Sequence, residues 1–382
     1  MGFHEFSSPY DWSRIAAYKR TAKAAFGGMI DLSVGSPVDP VPDSVRKALA
    51  VAANDPNAYG YPATAGTADL RAAIAEWFSA ARNVDLQAIH ADVVPTVGSK
   101  ESVALMASLL HFGEDDVVVQ PKVSYPTYEI GTQLAGAQVL KVDDVADVAS
   151  WRNVPGVKAV WVNSPCNPTG EVYSAERMAG IVAAAREIGA VVLSDECYAL
   201  MQWRGATNSA DDDPLQSTPC ALRSDVCAGS AEGVLVLYSL SKQSNMAGYR
   251  TAFIAGDESL IASMSAYRKQ IGQIIPGPVQ AAMAAGLRDL ESVKVQHARY
   301  RERLGVLVSA LRAYGYCTDM PDGALYVWVR AKSGDCWTDM EQLAKIGIIA
   351  SPGEFYGAPE CLRFSATASD EAIASAAERL AR

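Results

Sequence analysis

Short apolar stretches alternate with amphipathic stretches along the first three quarters of the chain. The short stretches are β-branched and apolar on both faces, which predicts the buried strands of a mostly parallel sheet. The segments between them carry apolar residues every three or four positions and predict helices that cover the sheet. The pattern therefore predicts an α/β fold. The predicted strands are Val93–Val97, Val117–Val119, Val139–Val142, Ala159–Val162, Ala190–Leu193, Val234–Tyr238 and Ala252–Ala255, and the predicted helices are Thr67–Ala81, Lys100–Leu110, Ala175–Ile188 and Leu260–Ile271.

The two ends of the chain follow other patterns. Prolines 9, 37, 40 and 42 interrupt the start, which predicts an irregular arm with regular structure beginning near Ser44. Beyond Pro276 a long helical pattern, Val279–Tyr314, precedes strand candidates and a terminal helix from Asp370, which predicts a smaller α+β domain. We therefore predict an arm of residues 1–45 that joins the small domain, a large domain of residues 46–275 and a small domain of residues 276–382. The later strand candidates are Gly323–Arg330, Ile346–Ala350 and Cys361–Ser365, and Gly205–Ala231, rich in Ser, Asp and Asn, is predicted to be a long surface loop.

Composition narrows the classes of protein. The 382 residues are 49% hydrophobic and carry a formal net charge of -10, which argues against a nucleic-acid partner or an anionic membrane surface. No apolar run approaches the roughly 18 residues of a membrane helix, and the first residues lack a signal-peptide pattern. The seven cysteines form no Cys-x-x-Cys pair, and the four histidines lie far apart, so we expect reduced thiols, no metal site and a cytoplasmic protein.

The sharpest chemical signal lies just past the predicted strand Val234–Tyr238. Ser239, Ser241 and Lys242 follow it, and Arg250 comes eight residues after the lysine. A desolvated lysine has a lowered pKa and can form an imine with a carbonyl cofactor, while hydroxyls and a guanidinium suit a phosphate. Taken alone, Lys242 fits a loop lysine in water better than a catalytic one.

Three further segments carry candidate residues after predicted strands. Asp195 ends one strand, where a carboxylate can keep a pyridine nitrogen protonated, and Tyr198 follows it, although an Asp here is also a common helix cap. Asn167 stands between two prolines that fix its backbone. Gly98 leads through Ser99 and Lys100 into a helix, an order that binds phosphate but is widespread.

Together these segments resemble the class I/II aminotransferases, fold type I of the pyridoxal-phosphate enzymes. The resemblance extends from about Gly35 to Thr367, and the motifs stand in the family's order. It implies that Lys242 holds pyridoxal 5'-phosphate covalently and shuttles a proton, and that Asp195 pairs with the pyridine nitrogen. It also implies that Tyr198 and Asn167 hydrogen-bond the ring oxygen and that Tyr125 stacks on the ring, with Tyr128 the competing candidate for stacking.

The resemblance assigns the remaining contacts as well. It implies that Ser99, Lys100, Ser239, Ser241 and Arg250 hold the phosphate. Tyr61 matches a tyrosine that reaches the phosphate of a neighbouring subunit, which implies a homodimer with shared active sites. Arg363 matches the arginine that clamps the substrate carboxylate, and Gly35 the arm glycine that covers it, with Asn167 close to the substrate. Two positions depart from the family pattern, namely Cys166, often Asn, and Lys100, which adds a charge or faces solvent.

The implied reaction is ping-pong transamination between an amino acid and a keto acid. Ser239–Arg250 looks like the actinobacterial type of N-succinyldiaminopimelate aminotransferase, which acts in lysine and diaminopimelate synthesis with glutamate and 2-oxoglutarate. Arg14, Lys19 and Arg268 are candidates to bind the distal carboxylates. An aspartate or aromatic aminotransferase and a carbon-sulfur β-lyase remain alternatives, because the fold does not decide which bond breaks. A regulatory pyridoxal-binding module would need a DNA-binding segment, and none is visible.

Overall fold

The computed structural model describes residues 11–203 and 218–382. In these ranges the helices are α1 Ile15–Ala24, α2 Asp43–Ala53, α3 Ala68–Arg82, α4 Ser99–Leu109, α5 Thr127–Leu134, α6 Ala175–Glu187, α7 Ser224–Cys227, α8 Leu240–Gln243, α9 Glu258–Gln270, α10 Gly277–Arg288, α11 Leu290–Ala313, α12 Cys336–Lys345 and α13 Asp370–Leu380. The strands are β1 Ile30–Asp31, β2 Ala91–Val97, β3 Val117–Pro121, β4 Gln138–Val142, β5 Val157–Asn163, β6 Val191–Asp195, β7 Val234–Ser239, β8 Thr251–Asp257, β9 Tyr326–Arg330, β10 Ile348–Ile349, β11 Ser351–Pro352 and β12 Cys361–Ser365.

The chain divides into two compact units. Of the described residues, the larger unit comprises 36–203, 218–301 and 321–324, and the smaller unit comprises 11–35, 302–320 and 325–382. The boundary therefore passes within α11, whereas the sequence prediction divided the chain after residues 45 and 275. Helix α10 belongs to the larger unit because it packs against α2 and α3. The division into functional domains stays a prediction.

A seven-stranded sheet organises the larger unit. Its strand order is β2-β8-β7-β6-β5-β3-β4, and β8 pairs antiparallel with both β7 and β2 while the other pairs are parallel. Six strands thus point the same way. All seven predicted strands of this sheet are present, and the predicted mostly parallel α/β fold is confirmed.

The sheet is covered by apolar side chains on both faces, as the continuous apolar runs predicted. One buried cluster contains Trp77, Phe78, Val236 and Phe253, and a second contains Leu193, Leu235 and Ile254. Neighbouring residues of β7 and β8 fall into different clusters because successive side chains of a strand point to opposite faces. This burial fixes the sheet, and therefore fixes where each strand ends.

The smaller unit contains short strands and helices. Strands β11, β12 and β9 form an antiparallel sheet, and β1 pairs in parallel with β10. The predicted strand Cys361–Ser365 and the terminal helix from Asp370 are both present as predicted. The central residues of β12 are buried, with Leu362 and Phe364 fully inaccessible.

Three sequence predictions are wrong in part. Regular structure begins long before Ser44, because α1 buries Ile15 and Ala22 in a stretch that contains none of the interrupting prolines. The long helix predicted over 279–314 is divided at Asp289, whose carboxylate accepts the Ser292 amide at 3.0 Å and so caps a new helix.

The predicted surface loop 205–231 is the third. Its residues 205–217 lie outside the described part of the chain. The rest is not a surface loop, since Cys220, Ala221 and Leu222 are fully buried and α7 follows them.

Candidate active site

One edge of the seven-stranded sheet gathers the candidate residues of the larger unit. Because six strands run the same way, the carboxyl ends of β2, β5, β6 and β7 meet there. Gly98 follows β2, Asn163 ends β5, Asp195 ends β6 and Ser239 ends β7. Ligands of open parallel sheets bind outside the carboxyl ends of the strands.

Lys242 lies one turn beyond the end of β7. The Ser239 hydroxyl accepts the Ser241 amide at 3.1 Å and donates to Ser241 Oγ at 2.7 Å, so it caps the short helix α8. The next residue, Gln243, is buried and donates to the Gly286 carbonyl at 3.1 Å. Lys242 itself is only partly buried. The helix is therefore anchored on both sides of a lysine that keeps access to the sheet edge.

Lys242 and Asp195 are brought to the same thiol. Burial raises the pKa of Cys197 well above its ordinary value, and the charge of Asp195 raises it further. The Ser99 hydroxyl hydrogen-bonds this thiol, and the positive charge of Lys242 acts on it in the opposite sense. Residues at or just past the carboxyl ends of β2, β6 and β7 thus act on one thiol.

An anion cradle lies at the start of α4. Gly98 has φ +77° and begins α4, and a Cβ added there would stand 2.2 Å from Nη2 of Arg250. The guanidinium therefore lies against the glycine at the helix N-terminus, where helix dipole and charge both favour an anion. The buried Thr251 hydroxyl has no hydrogen-bond partner among the described residues. Lys100 is exposed, so of its two predicted orientations the structure shows the solvent-facing one.

Asp195 is buried and held by several donors. Its Oδ2 accepts from Tyr128 Oη at 2.8 Å and its Oδ1 from the Cys197 amide at 3.2 Å. Burial raises the pKa of this carboxyl, the hydrogen bonds from Tyr128 and Cys197 lower it, and the charge of Glu196 raises it. A buried carboxylate of this kind gains most from a cationic partner. Sequence reasoning missed the bond from Tyr128, which is committed to Asp195 and stacks on Trp161 with centroids 4.5 Å apart.

The segment with Asn167 is fastened to the same strand ends. Asn163 Nδ2 donates to the Asp195 carbonyl at 2.9 Å, and its Oδ1 accepts the Asn167 amide at 2.8 Å. Asn167 and Tyr198 are both buried. Tyr125 is partly exposed and lies edge-on to Tyr128, with ring centroids 5.7 Å apart. The structure therefore brings these predicted residues to one edge, and it adds Asn163.

The two substrate-binding candidates of the smaller unit also lie together. The Arg363 side chain is buried, donates from Nη2 to the Ser33 carbonyl at 2.8 Å and lies 3.9 Å from the centroid of the Tyr326 ring. A Cβ added at Gly35 would stand 2.2 Å from Tyr326 Oη, so only glycine fits there. Tyr326 thus packs against both residues.

The remaining candidates behave differently. Tyr61 is fully exposed on the larger unit. The three cations considered for distal carboxylates are each paired with a carboxylate of the protein, Arg14 with Glu354, Lys19 with Asp31, and Arg268 with Glu101. Arg268 is completely buried, which sequence reasoning did not foresee.

These groups fit pyridoxal phosphate. The start of α4, where the lack of a side chain on Gly98 lets the Arg250 guanidinium approach, suits a phosphate together with the neighbouring hydroxyls. Asp195 suits a protonated ring nitrogen and Lys242 an aldehyde. A lysine and a carboxylate at adjacent strand ends of a mostly parallel sheet define the class of pyridoxal-phosphate enzymes with fold type I.

Comparison with known proteins identifies the family. Residues 27–380 match the family of class I and II aminotransferases, and the chain belongs to it. It is 40% identical to the 4-dedimethylamino-4-oxo-anhydrotetracycline transaminase OxyQ of Streptomyces rimosus, over 97% of this chain and 98% of that protein. It is 39% identical to a probable aminotransferase of Mycobacterium tuberculosis, over 97% of this chain and 84% of the other. The solved structure of a probable N-succinyldiaminopimelate aminotransferase from Thermus thermophilus is similar, with a TM-score of 0.82, 27% identity and coverage of 97% and 99%.

The predicted enzyme class and cofactor are therefore confirmed. The protein is a transaminase that depends on pyridoxal phosphate and acts on amino and keto acids. Over residues 11–203 and 218–382, every helix is too short or too polar to span a bilayer. The cytoplasmic location stays a prediction.

Proposed function

We propose that the chain transfers an amino group between N-succinyl-LL-2,6-diaminopimelate and 2-oxoglutarate, which interconverts them with the corresponding succinylated keto acid and glutamate, in lysine and diaminopimelate synthesis. The observation that carries the amino-transfer chemistry is the placement of Lys242 and Asp195 at the ends of the adjacent strands β7 and β6. The substrate is supported by the resemblance of Ser239–Arg250 and by the Thermus thermophilus relative.

Each residue at the sheet edge has a distinct task in this proposal. When bound, pyridoxal phosphate supplies an aldehyde that takes up the amino group and a protonated ring that withdraws electrons. Lys242 Nζ binds the aldehyde and carries the proton to and from the substrate carbon. Asp195 keeps the ring nitrogen protonated, because a buried anion stabilises a cation beside it. Tyr198 and Asn167 donate to the ring oxygen, and Tyr125 covers the ring.

The phosphate is assigned to the start of α4 and to the turn after β7. Ser99, Ser239 and Ser241 donate from their hydroxyls, and Arg250 donates from its guanidinium. Lys100, being exposed, contributes only long-range charge. Tyr61, also exposed, is proposed to reach the phosphate of a second copy, so that a homodimer shares its sites.

Arg363 is proposed to bind the substrate carboxylate. Its guanidinium is held by the Ser33 carbonyl and the Tyr326 ring, which fixes its plane before substrate arrives. Gly35 lies beside the same ring, and the arm that contains it is proposed to cover the substrate. Of the three cations considered for the distal carboxylates, Arg268 is the least suited, because it is buried and already paired with Glu101, whereas Arg14 forms an exposed pair and Lys19 a partly exposed one.

A half-reaction screen tests the proposal. The holoprotein is mixed with one amino acid at a time, and the loss of the visible absorbance of bound cofactor is followed. We expect glutamate and N-succinyl-diaminopimelate to convert it, and Lys242→Ala to remain folded but inert. Conversion by glutamate with none by N-succinyl-diaminopimelate would refute the substrate, and turnover by the lysine variant would refute the role of Lys242.

A second candidate substrate follows from the 40% identity to the Streptomyces rimosus transaminase. On that alternative the amino group passes to a ketone of a fused-ring compound. The screen separates the two candidates if it is run in the second direction. After loading with glutamate and removal of the 2-oxoglutarate formed, restoration of the original absorbance by a polycyclic ketone supports the second candidate, and restoration by the keto acid of N-succinyl-diaminopimelate supports the first. Incubation with cystathionine and a pyruvate assay separates both from β-lyase activity.

A further inference from the structure

A second buried carboxylate directly follows Asp195. The Glu196 side chain is 1% exposed and the Arg82 side chain 0% exposed, and Nη2 of Arg82 lies 2.8 Å from Oε2 of Glu196. Glu196 Oε1 also accepts from Ser194 Oγ at 3.0 Å and from the Ala221 amide at 2.8 Å. Two adjacent acids are therefore buried, and they are held by different helices, since Asp195 bonds to Tyr128 of α5 and Arg82 ends α3.

The charge balance around this pair of acids depends on Arg82. A buried charge without a partner is costly, and the guanidinium keeps its proton at every accessible pH. Lys242 is a second cation in this region, since its charge and that of Asp195 both act on Cys197, but its amine is assigned to the cofactor. Tyr128, Cys197 and Glu196 act on the Asp195 carboxyl, whose charge in turn acts on Cys166. The charge of Glu196 acts on Arg82, Cys220 and Tyr238. Arg82 is the permanent positive charge in this set.

The same guanidinium also forms hydrogen bonds that restrain the segment containing Asp195 and Tyr198. Nη1 donates to Thr218 Oγ1 at 2.7 Å, and the Thr218 hydroxyl donates to the Ala199 carbonyl at 2.6 Å. Nη2 donates to the Pro219 carbonyl at 3.0 Å. The Ala199 amide in turn donates to the Glu196 carbonyl at 2.8 Å. Residues 195–199 are therefore fixed from both ends by groups that converge on Arg82.

We infer that Arg82 and Glu196 are positioning residues for Asp195, and that their ion pair fixes the turn after β6 and balances the charge beside the ring-nitrogen carboxylate. The inference rests on the proposed role of Asp195 at the cofactor. Neither residue is assigned a contact with the cofactor. Their effect is transmitted through the backbone of residues 195–199 and through the local field.

Removing the two charges of the pair one at a time provides the test, because the two removals should have opposite effects. We compare wild type with three purified variants, Glu196→Gln, Arg82→Met and the double variant. Two quantities are measured for each protein, namely the pH midpoint of the visible absorbance of bound cofactor and the affinity of the apoprotein for pyridoxal phosphate. Glu196→Gln leaves an unbalanced cation, which favours the deprotonated form of nearby groups and lowers the midpoint by about half a pH unit or more. Arg82→Met shifts the midpoint upward, and the double variant returns close to wild type.

Arg288→Gln is the matched control. Arg288 pairs with Glu76 on the same helix α3, but at the surface, so its loss should leave the midpoint unchanged. Shifts of the same sign in both single variants, or none in Glu196→Gln, would reduce the pair to a structural contact. Should Arg82→Met fail to fold, the nearly isosteric Glu196→Gln still decides. The proposed function itself would instead be overturned if wild type showed no visible cofactor band, or if Lys242→Ala did not abolish that band.

Discussion

Removing the hydroxyl of Tyr128 should change how the protein holds its cofactor as the pH falls. In the structure this hydroxyl donates to Asp195 Oδ2 at 2.8 Å, and both side chains are buried. A hydrogen bond to an ionised group contributes about 1.5–3 kcal/mol, and about 1.4 kcal/mol corresponds to one pKa unit. Because the bond stabilises the charged form, Tyr128→Phe should raise the pKa of Asp195.

The consequence is visible in cofactor affinity. Burial already raises the pKa of Asp195, so the variant begins to protonate this carboxyl at a still higher pH. A protonated Asp195 no longer attracts a ring nitrogen that carries a proton. The affinity of the apoprotein for pyridoxal phosphate, measured by fluorescence titration across pH, should therefore fall off about one unit higher in Tyr128→Phe than in wild type.

A matched control separates this effect from general destabilisation. Tyr316 donates to Asp339, also at 2.8 Å and buried, within the smaller unit. Tyr316→Phe should lower thermal stability while its pH profile of cofactor affinity stays that of wild type. An unshifted profile in Tyr128→Phe would show that the Tyr128 bond does not set the ionisation of Asp195.

Three further predictions follow from single contacts. Gly98→Ala should weaken binding of pyridoxal phosphate about tenfold or more, because the added Cβ displaces Arg250. Binding of pyridoxal without its phosphate should weaken much less, and equal losses in titrations of both compounds would contradict a phosphate site at Gly98 and Arg250. Arg363→Lys should raise KM for amino substrates about tenfold or more with cofactor affinity unchanged, since lysine offers neither the fork nor the ring contact; steady-state kinetics with an unaltered KM would argue against a carboxylate clamp. Asp289→Ala should lower the free energy of unfolding by about 1 kcal/mol in urea titrations, because it removes the cap of α11, and no loss would mean that the Ser292 amide finds another acceptor.

The sequence was most informative where function and local structure coincide. Asp195, Ser239 and Gly98 stand at ends of strands whose apolar runs made those ends recognisable, so their convergence could be predicted from strand direction alone. The same reasoning could not find the bond between Tyr128 and Asp195, because 67 residues separate them and a tyrosine after a strand has many possible partners. It also missed α1, because prolines on either side suggested that the whole start of the chain was irregular.

Substrate choice was the least predictable property, and the ion pairs explain why. Arg14, Lys19 and Arg268 looked equally available in sequence, yet each is neutralised by a carboxylate that no local pattern reveals. A cation already paired within the protein offers a substrate carboxylate little net attraction, because binding would require the existing partner to be displaced and solvated again. Arg82 follows the same logic, since its guanidinium pairs with Glu196 and its proposed effect at the cofactor is transmitted through that pair. The sequence motifs therefore identify the reaction of this enzyme more readily than its charged residues identify the molecule on which it acts.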